Sequence, residues 1–188
     1  MMAPAVLRTS RCLLCPATTD DLEAIESAMR SPQFPSDLPL ARLYAKSRLG
    51  QWLTDMCDRA ARGECCIWSV QLHGKPICIG QVSILPIPGA EAWSLAFWLN
   101  PTQWGSGLAR EAVAAVLQEA FATKALPEIR AGAALWNVRS LSLLESLGLR
   151  AVSVTEDGYR IDGKPQAVRE FAVTRAEWMR KRTENAPG

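Results

Sequence analysis

The chain is poor in residue types on which several kinds of chemistry depend. His73 is its only histidine, so a zinc site could draw on one imidazole at most. Charge of either sign is not in excess: 21 Lys and Arg face 19 Asp and Glu, a formal +2, which gives no electrostatic footprint for nucleic acid. No apolar run approaches the roughly 18 residues of a membrane span. Met1 to Arg11 has no sustained apolar core, so the reading expects no signal peptide. Together these absences lead to the expectation of a cytoplasmic enzyme or binding domain with no nucleic-acid or membrane partner.

Two phosphate-binding signatures are also missing around the glycines of Trp104-Gly105-Ser106-Gly107-Leu108-Ala109. The Walker loop needs Lys and then Ser or Thr after its second glycine, where Leu108-Ala109 stands. The dinucleotide fingerprint needs a third glycine, where Arg110 stands. The 6 cysteines are Cys12, Cys15, Cys57, Cys65, Cys66 and Cys78, with no second Cys-x-x-Cys to complete a metal site begun by Cys12 and Cys15. In an extended segment residues three apart point to opposite faces, which suits no single metal. The expectation is buried or half-buried reduced thiols and no metal.

What is present suits one domain spanning residues 1–188, with 48% apolar residues to build its core. The glycine stretch follows an apolar segment, Trp93 to Leu99. It precedes a helix whose apolar positions are Ala109, Ala112, Val113, Val116, Leu117, Ala120 and Phe121. A strand, a glycine loop and a helix N-terminus in that order aim unpaired amides and the positive end of the helix dipole at one point. An anion such as a pyrophosphate fits there, and the missing Cβ atoms let it come close. A plain tight turn into a helix is the ordinary alternative for these residues taken alone.

Along the chain, Val6 to Cys15 reads as a first strand closed by Pro16. Thr18 to Asp21 offers caps for a helix carrying Leu22, Ile25, Ala28 and Met29, which ends before Pro32. Ser31 to Pro39 is a loop. A second helix is predicted from about Ala41 to Arg62, with Gly50 as the place where it could break. Glu64 to Leu72 and Ile77 to Leu85 read as a hairpin about His73-Gly74-Lys75, and Ala92 to Leu99 as the fourth strand. Past the glycine-loop helix come a buried strand, Ile129 to Leu135, and a helix capped near Asn137 and stopped by Gly148. A strand over Leu149 to Thr155 follows, then a loop at Asp157 to Arg160. A turn at Asp162-Gly163, a last strand over Ala167 to Val173 and a polar helix over Arg175 to Lys181 complete the chain. This mixed order favours an α+β (mixed α/β) fold.

Two separated segments resemble the GNAT superfamily of acetyl-CoA-dependent N-acetyltransferases. Phe97 to Ala112 is similar to the family's pyrophosphate motif, Gln/Arg-x-x-Gly-x-Gly/Ala, at Trp104 through Ala109. Asn137-Val138-Arg139-Ser140 to Leu147-Gly148-Leu149 is similar to its Asn-x-x-Ser/Ala…Leu-Gly-Phe helix. Tyr159 to Trp178 and the Asp20-Asp21-Leu22 opening resemble the branch that acetylates ribosomal-protein N-termini. The resemblance implies a mostly antiparallel mixed sheet flanked by helices and splayed between its fourth and fifth strands. Acetyl-CoA would lie along fourth-strand backbone at Trp98, Leu99 and Asn100. Its pyrophosphate would meet Trp104, Gly105, Ser106, Gly107, Leu108 and Ala109, and Asn137 would contact it from the other wall. The acceptor would be a primary amine, on a peptide or a small molecule, and a homodimer is left open.

Three departures bear on the chemistry that the resemblance implies. Trp104 stands where Gln or Arg is usual, Ser94 where a fourth-strand Glu is frequent, and Leu144 where relatives place Tyr. Ser140 is the remaining candidate acid, against the ordinary role of a polar residue in the first turn of a helix capped by Asn137. Glu91, Glu64 or a water relayed through Ser94 are the candidates for the base. Trp93, Trp98 and Trp136 could wall an acceptor pocket, core packing being the ordinary role for at least two of them. The alternative function is a catalytically weak acyl-CoA-binding or interaction domain.

Overall fold

The computed structural model describes residues 4–161 and 164–184. In chain order the elements are β1 (Leu7–Arg8), β2 (Cys12–Pro16), a 3-10 turn (Thr19–Asp21), α1 (Leu22–Met29), α2 (Pro39–Ala45), α3 (Leu49–Ala61), β3 (Cys66–Leu72), β4 (Lys75–Pro86) and β5 (Trp93–Leu99). A second 3-10 turn (Pro101–Gln103), α4 (Leu108–Gln118), β6 (Glu128–Ala134), α5 (Val138–Ser146), β7 (Arg150–Ile161), β8 (Lys164–Thr174) and α6 (Arg175–Glu184) follow. The strands form a mixed sheet in the order β1-β2-β3-β4-β5-β6-β8-β7, flanked by helices. The ladders β1–β2, β2–β3, β3–β4, β6–β8 and β7–β8 are antiparallel, and β5–β6 is parallel. None of the described helices is long and apolar enough to cross a membrane.

By its contacts the chain divides into two compact units, one ending at Leu85 and resuming over Ala96–Val116, the other built of Pro86–Leu95 and the residues from Leu117 on. In the first unit α1, α2 and α3 bury one cluster: Ile25, Ala28, Met29, Phe34, Ala41, Leu49 and Leu53. Trp98 and Trp104 pack against it, which fastens both ends of the segment between β5 and the glycine loop. The α4 face expected from the three-and-four spacing is buried at Ala112, Val113 and Val116. In the second unit β6, β8 and α6 pack around Ile129, Phe171, Val173 and Trp178, with the rings of Phe121 and Trp178 centred 5.8 Å apart. There β5 and β6 pair at Trp93↔Ile129 and Ser94↔Arg130, the beginnings of both strands.

Several sequence expectations need correction. The first strand is a hairpin, with Leu7 opposite Leu14 and Arg8 opposite Leu13, because the chain turns at Thr9–Arg11. The long second helix is two helices, and the break falls at Ser47 in a left-handed conformation (φ 54°). Gly50 lies inside α3, where the first turn tolerates it. Asp157 to Arg160 is strand, not loop: β7 continues through it with a shift in register between Thr155 and Tyr159. The turn assigned to Asp162-Gly163 lies outside the described residues. All 6 cysteines are free thiols, four buried and two half-buried, as expected. Burial pushes the Cys12, Cys57, Cys65 and Cys78 thiols up, that of Cys78 to about 12, so they stay protonated.

Candidate active site

The glycine loop is shaped from its first residue. The Asn100 amide donates to Ile79 O at 2.7 Å, and its side-chain oxygen accepts from Thr102 N (3.0 Å) and Thr102 Oγ1 (2.9 Å). That cap starts the 3-10 turn at Pro101 and bends the chain away from β5. The Trp104 indole then reaches back, donating from Nε1 to Leu99 O at 2.8 Å, while its ring packs on Phe34. Gly105 and Gly107 follow with φ of 73° and 79°, conformations that side chains make costly. Ser106 between them donates its hydroxyl to Gln103 O at 2.5 Å. Leu108, 4% exposed, plugs into the core and begins α4.

The Leu108 N–H donates to Ser106 Oγ at 3.5 Å, closing the loop onto the start of α4. Gly105, Ser106 and Gly107 are exposed, and a Cβ built on Gly105 would meet no heavy atom within 4 Å, so the space before Gly105 is open. The amides of the first turn of α4 have no acceptor within the helix and carry its positive dipole end. Arg11 reaches the loop, its Nη1 donating to the Ser106 carbonyl at 2.8 Å.

Glu111, in the first turn of α4, is the anchor of the loop. Its Oε1 accepts from Thr9 Oγ1 (2.6 Å), Ser10 Oγ (3.1 Å) and Arg11 N (2.7 Å), and its Oε2 from Arg11 Nε (2.7 Å). Burial alone would raise its carboxyl. The hydrogen bonds from Thr9, Arg11 and Ser10 outweigh burial and hold it at about 2. Sequence reasoning missed this network, because its members lie about a hundred residues apart in the chain.

A second polar chain runs behind Trp98. The indole Nε1 donates to Gln81 Oε1 (3.2 Å), Gln81 Nε2 to Ser69 Oγ (3.4 Å), and Ser69 Oγ to Asp21 Oδ2 (2.5 Å). Gln81 and Ser69 are buried, so each link satisfies a group with no access to water. Trp98 also meets Phe34 edge-on, its ring centre 6.4 Å away. Its ring is thus held on two sides.

In the second unit, Asn137 caps α5 by accepting from Ser140 N at 3.4 Å. Ser140 stands half-buried in the first turn. Leu144, a hydrocarbon side chain with no proton to give, is 1% exposed and belongs to the core. Ser94 is half-buried, Glu91 and Trp136 are exposed, and Trp93 is half-buried. Glu64, in the first unit, is paired with Arg62 (2.5 Å) and Arg59 (3.6 Å), and its hydrogen bond to Arg62 holds its carboxyl low. That makes it a poor proton acceptor. His73 is exposed, though its ring is hydrogen-bonded to Thr9 O at 2.9 Å.

Glu170 on β8 is a carboxylate that sequence reasoning passed over. It pairs across from Gly132 of β6, and its carboxylate oxygens lie 3.2 and 3.3 Å from where a Gly132 Cβ would be. Burial pushes its carboxyl up, and the charge of Arg130 only partly offsets this. The signal was available: Val168, Glu170 and Ala172 share one face of a strand, and the two neighbours are buried.

Comparison with known proteins agrees with this geometry. Residues 11–150 match the family model of the acetyltransferase (GNAT) domain. A GNAT-family acetyltransferase from Bacillus anthracis superposes with a TM-score of 0.80 at 18% identity, over 92% of this chain and 100% of that one. The ribosomal L7/L12 alpha-N-protein acetyltransferase RimL, in complex with coenzyme A, gives 0.79 at 12% identity, over 90% and 98%. A chimera of the Vibrio cholerae spermidine N-acetyltransferase SpeG gives 0.75 at 18% identity, over 90% and 99%. The family model takes in both the glycine loop and the helix that Asn137 caps, and the chain belongs to the GNAT acetyltransferase family.

Proposed function

We propose that the protein moves an acetyl group from acetyl-CoA directly to a primary amine, with a peptide N-terminus as the favoured acceptor. The observation that carries the reading is the loop from Trp104 to Ala109, whose two exposed glycines have positive φ, with open space before Gly105 and the Arg11 guanidinium beside Gly107. Gly105, Ser106, Gly107, Leu108 and Ala109 would hold the pyrophosphate through main-chain N–H groups. Backbone of Trp98, Leu99 and Asn100 would carry the thiol arm. Bound acetyl-CoA supplies a thioester that an amine attacks, releasing a thiolate.

The chain's own residues must then handle two protons. Glu170 has the environment of a proton acceptor, a half-buried carboxyl raised by desolvation. Ser140 is the proposed donor to the thiolate, and Asn137 both caps its helix and is the proposed contact to the cofactor. The likeness to RimL supports a protein N-terminus as acceptor, and that to SpeG keeps a polyamine as the second choice. We further propose one cytoplasmic domain.

Calorimetric titration with acetyl-CoA tests the reading. The wild type should bind, and Gly107→Val should bind at least tenfold more weakly, since a branched side chain at φ 79° covers the donors. No binding by the wild type would refute it. Turnover is then assayed on an N-terminal peptide panel and on spermidine. Binding without turnover on any amine would leave an acyl-CoA-binding domain instead.

A further inference from the structure

Arg11 lies outside the glycine motif, on the turn between β1 and β2, yet it is built into the loop. Three of its groups are committed: its backbone N–H and its Nε hold Glu111, and its Nη1 holds the Ser106 carbonyl. Its remaining terminal nitrogen, Nη2, is the nearest atom to a Cβ built on Gly107, at 3.4 Å. The turn beneath is itself pinned, with His73 N donating to Arg11 O (3.2 Å) and the His73 ring hydrogen-bonded to Thr9 O (2.9 Å). The side-chain exposures are 49% for Arg11 and 16% for Glu111, so the pair is oriented with its carboxylate inward and its cation outward. Trp104 brings no charge to the loop, since its indole is turned to Leu99 O.

We propose that Arg11 is a phosphate-binding residue of the loop, contacting the pyrophosphate of the acyl donor through Nη2. This rests on the reading of the loop as the acetyl-CoA site. Two physical effects support the role. The Nη1 bond occupies the Ser106 carbonyl, the acceptor that would otherwise repel an anion lying on the loop. The fork geometry then leaves Nη2 at Gly107, beside the exposed backbone that leads into α4. A guanidinium held at Nε and Nη1, on a residue whose backbone N–H is also bound, loses little freedom on binding, so its hydrogen bond to phosphate is formed at low entropic cost.

The experiment compares wild type, Arg11→Gln, Arg11→Lys and Gly107→Val by calorimetry with CoA, 3′-dephospho-CoA and pantetheine. Arg11→Gln should weaken CoA and dephospho-CoA alike, by about tenfold, the worth of one hydrogen bond to a charged group. It should leave pantetheine, which has no phosphate, unchanged. Arg11→Lys, which keeps the charge and loses the fork, should fall between, and serves alone if the glutamine variant does not fold. CoA affinity of either variant equal to wild type overturns the proposal. So does an equal loss on pantetheine, which would make Arg11 a brace of the loop only, or a loss on CoA that spares dephospho-CoA. The Gly107→Val control separates the two levels: if it binds CoA as the wild type does, the loop itself has been misread.

Discussion

Gly80 of β4 and Trp98 of β5 approach so closely that a Cβ on Gly80 would lie 2.5 Å from the Trp98 carbonyl oxygen. It would also lie 2.8 Å from Leu99 Cδ1 and 3.1 Å from Leu99 Cα. The obstacle is mostly backbone, which cannot swing aside as a side-chain tip can. Gly80→Ala should therefore displace the segment proposed to carry the thiol arm. Urea denaturation should register a loss of about 1–3 kcal/mol, the usual cost of overpacking. Calorimetry should register weaker acetyl-CoA binding. Wild-type values in both would show that β4 and β5 can part without consequence.

The link from Trp98 to Gln81 makes a second prediction. Trp98→Phe keeps an aromatic ring on Phe34 but removes the donor to Gln81 Oε1. Gln81 is 2% exposed, so its oxygen has no water to turn to. The expected cost is about 1–3 kcal/mol for the orphaned acceptor. Replacing both partners, as in Trp98→Phe with Gln81→Leu, should recover part of it, because an unmatched polar atom is worse than an apolar pair. A double-mutant cycle in urea measures the coupling, and strict additivity would deny it.

Such cross-strand links mark where sequence reading stops. The glycine loop was legible because its information is local: a run of large apolar residues, two glycines and a three-and-four apolar spacing adjoin each other. The cap on Asn137 and the stop at Gly148 were legible for the same reason. The break between α2 and α3 was not, because Ser47 adopts a left-handed backbone that its residue type does not announce. Arg11 was read as part of a strand, since nothing beside it in the chain reveals Glu111. The box of Thr174 and Glu177, where each side chain accepts the other's backbone N–H, was legible at its spacing of three and was read only as a polar helix tail.

Among the described residues, Glu111 and Glu177 are the two carboxyls held down to about 2. Backbone and side-chain hydrogen bonds from Thr174 and Arg150 hold Glu177 at about 2, as Glu111 is held at about 2 despite its burial. A carboxyl whose folded value lies below its unfolded one adds stability that is complete above the ordinary value of 4.5. That contribution fades as pH falls toward about 2. Stability should thus decline with acid across that window. Glu111→Gln should lower the urea midpoint at pH 7 and flatten part of the decline, and adding Glu177→Gln should flatten most of the rest. An unchanged slope in the double variant would assign acid sensitivity to other groups.

The two proton-handling residues can be told apart by their pH signatures. If Glu170 accepts the proton of the attacking amine, it must be ionised, and burial raises the pH at which it ionises. The ascending limb of kcat/KM should then lie above the ordinary carboxyl range, and Glu170→Gln should abolish that limb with a loss of about 10²–10⁴ in kcat. Ser140→Ala should lower kcat while leaving the limb in place, because the bond that caps α5 comes from the Ser140 backbone N–H and survives the change. Asn137→Ala is the contrast: it removes the cap, at about 1 kcal/mol, and should weaken cofactor binding rather than the chemical step. Stopped assays over pH 5–9 with the best acceptor give all three results. A limb that persists in Glu170→Gln would pass the proton to water, and a wild-type kcat in Ser140→Ala would let the thiolate leave unassisted.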